Sequence, residues 1–141
     1  MAGVEIILAL HALATVFMTG LIWFVQVVHY PLFAGVGSDG LGPYCERHQR
    51  LTTLVVGPAM LVELATACAL VALLEGSEQT LALAGLGLLV VIWLSTALVQ
   101  VPCHRRLLGG RDEALVRRLV AGNWVRTVCW SVRAGIALAL M

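Results

Sequence analysis

The chain has 141 residues, of which 60% are hydrophobic and only 12% charged, with a formal net charge of +1. This composition is far from that of a soluble globular domain, and a near-neutral chain without a basic tail excludes the nucleic-acid-binding classes. The length fits a single domain. Four apolar runs explain the composition, and each is long enough to cross a bilayer core of roughly 30 Å. They lie at Val4–Val28, Leu51–Leu74, Leu81–Val101 and Leu119–Met141.

These runs predict an all-α integral membrane protein, a four-helix up-down bundle with helices at about 4–29, 48–74, 80–102 and 119–141. No run has a polar face wide enough for a soluble bundle. The first and third connections contain the arginines Arg47 and Arg50, and Arg105 to Arg118, whereas Glu75–Gln79 contains two glutamates. Because basic loops stay in the cytoplasm, we expect both of them there, both termini outside, and a multi-pass protein of the bacterial inner membrane.

Prolines and glycines set the predicted helix ends. Pro31 is expected to end the first helix and Pro102 the third, because proline disfavours helical geometry in the preceding residue. The glycine-rich segment 34–44 is expected to be a turn-rich connector. The segments VQVVHYP (25–31) and VQVPCHR (99–105) resemble each other; the same polar residues are expected in both because both helices border one polar chamber.

Each helix has one narrow polar stripe when its residues are plotted at about 100° per residue. His29, His48 and His104 lie at the cytoplasmic ends of helices, and Gln26 and Gln100 lie about one turn deeper. If the four stripes face inward, they form a polar chamber that opens toward the cytoplasm. The other side chains expected to bind a substrate there are Tyr30, Asn123, Trp124, Arg126, Trp130 and Arg133. For Trp124, a position in the interfacial aromatic belt is the simpler interpretation.

Glu63 and Arg133 each lie near mid-membrane, roughly 20 Å from the cytoplasmic start of their helices. A lone charge at that depth costs several kcal/mol, so we predict that the two side chains pair. One interpretation is a structural ion pair between the second and fourth helices. The alternative gives Glu63 a role in proton transfer and Arg133 a role in holding substrate, with His11 extending the path.

The histidines His29, His48 and His104, together with Glu63, are the candidate catalytic residues. Imidazole and carboxylate ligands suit iron, copper or zinc, so a transition metal or haem held by the three histidines is one hypothesis for an otherwise unknown cofactor. Interfacial and second-shell roles are the alternative. Cys45 and Cys103 with two of the histidines suggest a less regular zinc site, and no disulfide is expected on the reducing side of the membrane.

Four segments have the features of known membrane families: FVQVVHYPLF (24–33), VGPAMLVELATA (56–67), VQVPCHRRL (99–107) and NWVRTVCWSVRA (123–134). Together they resemble uncharacterised small bacterial four-helix membrane proteins over nearly the whole chain. The last segment is distantly similar to the anthrone-oxygenase-like family, which has an Asn-Trp-x-Arg-Thr element before its last helix. That family includes enzymes that oxidise polycyclic anthrones to quinones. The resemblance implies that Asn123, Trp124, Arg126 and Thr127 form this element, and it does not extend to the histidines.

The leading hypothesis is therefore a membrane oxidoreductase or oxygenase that acts on a lipophilic planar substrate. In it the histidines are ligands or acid–base groups, Gln100 and Asn123 orient them, and Arg126 holds a substrate oxygen. The alternatives are a small transporter or channel with a Glu63–Arg133 proton or ion path, and a non-catalytic subunit of a membrane complex. Expected partners are membrane lipids, a lipophilic small molecule, and a second copy of the chain or a larger complex.

Overall fold

The computed structural model describes residues 2–110 and 112–141, without the side chains of residues 2, 38 and 39. Every regular element in this part of the chain is helical. We name four long helices, two of which contain a π turn. Helix α1 comprises Ala2–Phe24, the π turn Val25–His29, Tyr30–Leu32 and the 3₁₀ turn Phe33–Gly35; α2 is Ser38–Leu73; α3 comprises Gly76–Ser95, the π turn Thr96–Gln100 and Val101–Leu107; α4 is Glu113–Ala139.

Three of these helices have the length and hydropathy of membrane spans. The segments are Gly3–Gly35, Gly40–Leu73 and Gly76–Leu107, with mean hydropathies of 2.1, 2.1 and 2.3. Helix α4 has 27 residues but does not reach the same hydropathy, because Asn123, Arg126 and Arg133 lie within it. The prediction of helices that are long and apolar enough to span a membrane is thus confirmed for α1, α2 and α3.

The helices pack in a ring, in which α1 and α3 each contact both α2 and α4. Buried residues in the middle of the bundle include Met18, Met60, Leu89 and Trp130, which form one apolar cluster. Large apolar side chains also cover the outside of the helices, and Leu13, Leu54 and Leu98 are 69%, 68% and 68% exposed. An apolar outer surface around a packed interior is typical of a helical protein surrounded by lipid.

Helices α1 and α3 continue past Pro31 and Pro102, so the prediction that these prolines end them was wrong. In α1 the N–H of Tyr30 donates to the carbonyl of Val25, and in α3 the N–H of Val101 donates to that of Thr96. These π-type bonds add one residue to the turn and place each proline in the first turn of the next helical segment. Proline is tolerated there because an N–H in the first turn has no acceptor within the helix, so the N–H that proline lacks costs no hydrogen bond.

The glycine-rich segment is helical from Ser38 onward, so the prediction of a connector over 34–44 was wrong for most of its length. Leu41 and Cys45 are fully buried there against Phe33 and Leu107. Gly42 permits this contact, because a Cβ at this position would lie 3.1 Å from the carbonyl oxygen of Leu108. Tertiary burial therefore outweighs the weak helix propensity of glycine.

Candidate functional site

A closed polar network lies in the middle of the bundle, around the fully buried carboxylate of Glu63. Its Oε1 accepts hydrogen bonds from Nε and Nη2 of Arg133, at 3.0 and 2.9 Å, and from Oγ1 of Thr15 at 3.0 Å. Its Oε2 accepts from Nε1 of Trp130 at 3.0 Å. Arg133 also donates from Nη1 to the carbonyl of Gly85. The predicted Glu63–Arg133 ion pair is thus confirmed.

This network joins all four helices and has the properties of a structural core. Both oxygens of Glu63 have donors, and Arg133 is 1% exposed. His11 lies at its edge, where its Nδ1 is 2.9 Å from Oγ1 of Thr66. A buried ion pair whose hydrogen bonds are all made holds helices in register. The catalytic role of Glu63 and the substrate-binding roles of Arg133 and Trp130 remain predictions.

The structure brings the three predicted histidines together at the other polar cluster. Nε2 of His29 lies 2.9 Å from Nδ1 of His48, so one nitrogen donates to the other. The rings of His48 and His104 stack at 17°, with centroids 5.2 Å apart. Thr52 places its Oγ1 3.1 Å from Nδ1 of His48. The histidines therefore form a contiguous row across α1, α2 and α3, in the half of the bundle where α1 and α3 end.

This row does not have the geometry of a metal centre. Among the residues that the structure describes, no group of three or more His, Cys, Asp or Glu side chains is placed to hold a metal ion. The nitrogens of His29 and His48 bond to each other, and His104 stacks on His48. The predicted metal site at His29, His48 and His104 and the Cys/His zinc site thus gain no support. Cys45 and Cys103 are buried free thiols in an apolar cluster.

His104 has one nitrogen fixed and one nitrogen free. Its Nδ1 lies 2.8 Å from the carbonyl oxygen of Gln100. A carbonyl can only accept, so Nδ1 carries the hydrogen and Nε2 of the neutral ring has an available lone pair. That Nε2 is buried and has no hydrogen-bond partner. A fixed tautomer with an unsatisfied basic nitrogen is the arrangement required of a general base.

The two π-turn glutamines are equally buried but differ in their hydrogen bonds. Gln26 and Gln100 are each 3% exposed. Gln26 donates from Nε2 to the carbonyl of Val120 at 3.2 Å and accepts from Nδ2 of Asn123 at 2.9 Å. Neither Nε2 nor Oε1 of Gln100 has a partner. Buried amides normally have hydrogen-bond partners, so the Gln100 amide is the exception to be explained.

Arg126 is the second buried arginine of α4, and it is 7% exposed. Its guanidinium lies 5.4 Å from the centroid of the Trp130 ring and interacts with the hydroxyl of Tyr30. Its Nε has no hydrogen-bond partner. Within the described part of the chain no carboxylate pairs with it. Arg126 is therefore a buried cation without a carboxylate partner among the described residues. Its neighbours are the phenol of Tyr30, the face of Trp130 and the ring of His104.

These unsatisfied groups border one cleft of about 380 Å³ between α2 and α3. Tyr30, Gln100, His104 and Arg126 supply its polar side, whereas most of its exposed lining is apolar. The remaining lining residues are His48, Gln49, Thr52, Thr53, Val56, Gly57, Met60, Leu61, Trp93, Thr96 and Val101. A volume in this range and an apolar wall with a few convergent polar groups are typical of small-molecule sites.

A second groove, of about 400 Å³, lies between α1 and α2. His29, Tyr44 and Arg47 lie at its polar end, and Leu21 and Phe24 are part of its apolar lining. His48 and Thr52 line both the groove and the cleft. The row of histidines thus connects the two depressions on either side of α2.

Not every predicted substrate-binding residue reaches the cleft. Gln26 and Asn123 bond to each other and are not part of its lining. Trp124 is 45% exposed and makes an edge-on contact with Trp23, with centroids 5.7 Å apart, in keeping with its interfacial interpretation. Sequence analysis missed Gln49, whose Nε2 is buried without a partner. Its i, i+4 spacing to Thr53, beside the His48–Thr52 pair, was the signal that could have found it.

The sequence matches no protein-family model, and comparisons with curated proteins and with solved structures find no similar protein.

Proposed function

We propose that this chain is a membrane oxidoreductase of the oxygenase type, which takes a lipophilic planar molecule from the bilayer into the cleft between α2 and α3. The observation that carries the proposal is the convergence of unsatisfied buried groups on one apolar cleft. They are the Gln100 amide, Nε2 of His104 and Nε of Arg126. Leaving such groups unpaired costs about 1–3 kcal/mol each, so a ligand that satisfies them binds with that energy available.

In this proposal all four helices cross the bacterial inner membrane, with both arginine-rich connections in the cytoplasm and both termini outside. Helix α4 is long enough at 27 residues, and Asn123, Arg126 and Arg133 face the interior rather than lipid. Its lower hydropathy then reflects the site that it carries. The cleft lies near the cytoplasmic ends of the helices and opens sideways between α2 and α3, where a lipid-soluble molecule enters directly.

The chemistry assigned to the cleft is proton removal followed by oxidation. For an anthrone, Nε2 of His104 removes a proton from the ring methylene, and the negative charge that develops on the substrate oxygen is stabilised beside Arg126. Dioxygen then accepts four electrons: one of its atoms becomes the new carbonyl, and the other leaves as water with the two methylene hydrogens. In this proposal the substrate class follows from the resemblance predicted for the Asn123–Thr127 segment to the anthrone-oxygenase-like family.

The test is anthrone oxidation by the purified protein in nanodiscs, measured as dioxygen consumption and anthraquinone formation. His104→Gln is expected to lower the rate by about 10²–10⁴-fold, the usual contribution of a general base. His11→Gln is the matched control, because His11 is buried in the closed network instead of the cleft. Equal rates for the wild type and His104→Gln, or no anthrone oxidation at all, would contradict the proposed chemistry.

The alternative of a Glu63–Arg133 transport path gains nothing from the geometry. Both carboxylate oxygens of Glu63 are occupied by donors from Thr15, Trp130 and Arg133, and the pair is almost completely buried. A residue that relays protons needs an accessible partner on each side. The structure instead ties Glu63 to three neighbouring side chains.

A further inference from the structure

Among the residues that the structure describes, the buried charges of the bundle do not balance. Glu63 and Arg133 neutralise each other at 2.9 Å. Arg126, two turns earlier on α4, has no carboxylate partner in the described residues, although its side chain is more than nine-tenths buried. Burying an ion without a counter-ion costs several kcal/mol, and arginine keeps its charge in proteins. A buried cation that faces a cleft and has no counter-ion is therefore a candidate site for binding an anion.

We infer that the cleft binds a lipophilic anion, an aromatic carboxylate or phenolate, with its charged oxygen at Arg126 and its ring system along the apolar wall. The inference rests on the proposed function, since it assigns the ligand class of the same cleft. Three features of the lining specify the ligand. Arg126 supplies the charge, Gln100 offers one donor group and one acceptor atom, and Trp93, 37% exposed, offers an aromatic face.

The closed network shows why a neutral ligand satisfies the site less well. Arg133 makes a charge-assisted pair with a carboxylate, whereas Arg126 has only the hydroxyl of Tyr30 and the face of Trp130. An anionic acceptor adds the Coulomb attraction between two opposite charges to the hydrogen bond, and this attraction is stronger inside a protein than in water. An anionic ligand gives Arg126 the partner that Glu63 gives Arg133, and an alcohol of the same shape does not.

The experiment compares two planar probes of the same ring system, 9-anthracenecarboxylate and 9-anthracenemethanol. Binding to the protein in nanodiscs is measured by energy transfer from tryptophan to anthracene, and empty nanodiscs correct for partition into lipid. The carboxylate is expected to bind the wild type at least tenfold more tightly than the alcohol. Arg126→Met is expected to abolish this preference, and Arg126→Lys is expected to retain part of it.

Two control variants separate the possible failures. Arg117→Gln removes an exposed arginine of the same helix, 73% exposed, and is expected to keep the preference. Gly57→Leu places a side chain in the lining of the cleft and is expected to weaken binding of both probes. If both probes bind equally, Arg126→Met changes nothing and Gly57→Leu abolishes binding, the anion inference is overturned while the cleft remains a binding site. If neither probe shows saturable binding, the proposed function and the inference both fail.

Discussion

Arg126 and Arg133 lie on one face of one helix, but their surroundings are opposite. Arg133 is paired with Glu63 and donates to the carbonyl of Gly85, so the charge and the hydrogen bonds of its guanidinium are satisfied within the fold. Arg126 has an unpartnered Nε and no carboxylate among the described residues. A buried charge in a helical bundle is therefore not functional merely because it is buried. The informative feature is a buried charge whose partner is missing.

The two π turns repeat the same contrast with neutral groups. Gln26 bonds to Val120 and Asn123, whereas the amide of Gln100 bonds to nothing. The satisfied glutamine holds α1 against α4, and the unsatisfied one faces the cleft beside His104 and Arg126. π turns are frequently found at functional sites, because the inserted residue redirects side chains. Only the π turn of α3 leaves its glutamine amide available.

The substitution predicted to destabilise the protein most is one that breaks the closed network around Glu63. Glu63→Leu leaves Arg133 as an unpaired buried charge and is expected to lower the free energy of unfolding by about 3–5 kcal/mol. Arg126→Met removes a charge that is already unpaired, so it is expected to leave the stability unchanged or to raise it. Reversible unfolding in mixed micelles measures both. The contrast fails if the two substitutions destabilise equally. The double variant Glu63→Leu/Arg133→Met is the control and should recover part of the loss.

Replacing the two glutamines is predicted to cause smaller and unequal losses of stability. Gln26→Leu leaves Nδ2 of Asn123 without its acceptor and removes the side-chain hydrogen bond to the carbonyl of Val120, so it is expected to cost about 1–3 kcal/mol. Gln100→Leu removes no hydrogen bond of the side chain and is expected to cost less than about 1 kcal/mol. The same unfolding measurement gives the difference. Equal costs would show that Gln100 has partners in the membrane.

The smallest predicted loss of stability comes from a substitution at Gly122, where α4 approaches the π turn of α3 closely. A Cβ at Gly122 would lie 2.9 Å from Cγ1 of Val99 and 3.4 Å from Nε2 of Gln100. Gly122→Ala is therefore expected to cost about 1 kcal/mol through overpacking, and to weaken binding in the cleft by displacing Gln100. Gly135→Ala is the matched control on the same helix, because a Cβ there meets nothing within 4 Å. A Gly122→Ala protein as stable as this control would show that the contact is loose.

The parts of the fold that the sequence predicts are those dictated by the cost of burying polar groups. The Glu63–Arg133 pair followed from the expense of a lone charge at mid-membrane, and the meeting of His29, His48 and His104 followed from stripes that must face inward. Both arguments need only the spacing of residues along a helix. These two predictions therefore do not depend on how the side chains pack.

The remainder depends on contacts that spacing does not encode. The helical start at Ser38 requires the burial of Leu41 by elements distant in sequence. The π turns require a carbonyl one residue beyond the usual acceptor, and no residue pattern before Pro31 or Pro102 indicates it. The two glutamines have similar sequence surroundings, so only the position of α4 decides which of them is satisfied.

We propose that the cleft beside Arg126 is the ligand site, whereas the Glu63–Arg133 network is structural. The most direct test is photolabelling with 4-benzoylbenzoate, a lipophilic carboxylate that inserts into nearby C–H bonds on irradiation, followed by peptide mass spectrometry. We expect labels on the cleft lining, at 53–61 and 93–101, and we expect them to be reduced in Arg126→Met and retained in Arg117→Gln. Labelling confined to Leu21 and Phe24 in the groove between α1 and α2, or labelling of the cleft that is unchanged in Arg126→Met, would contradict it.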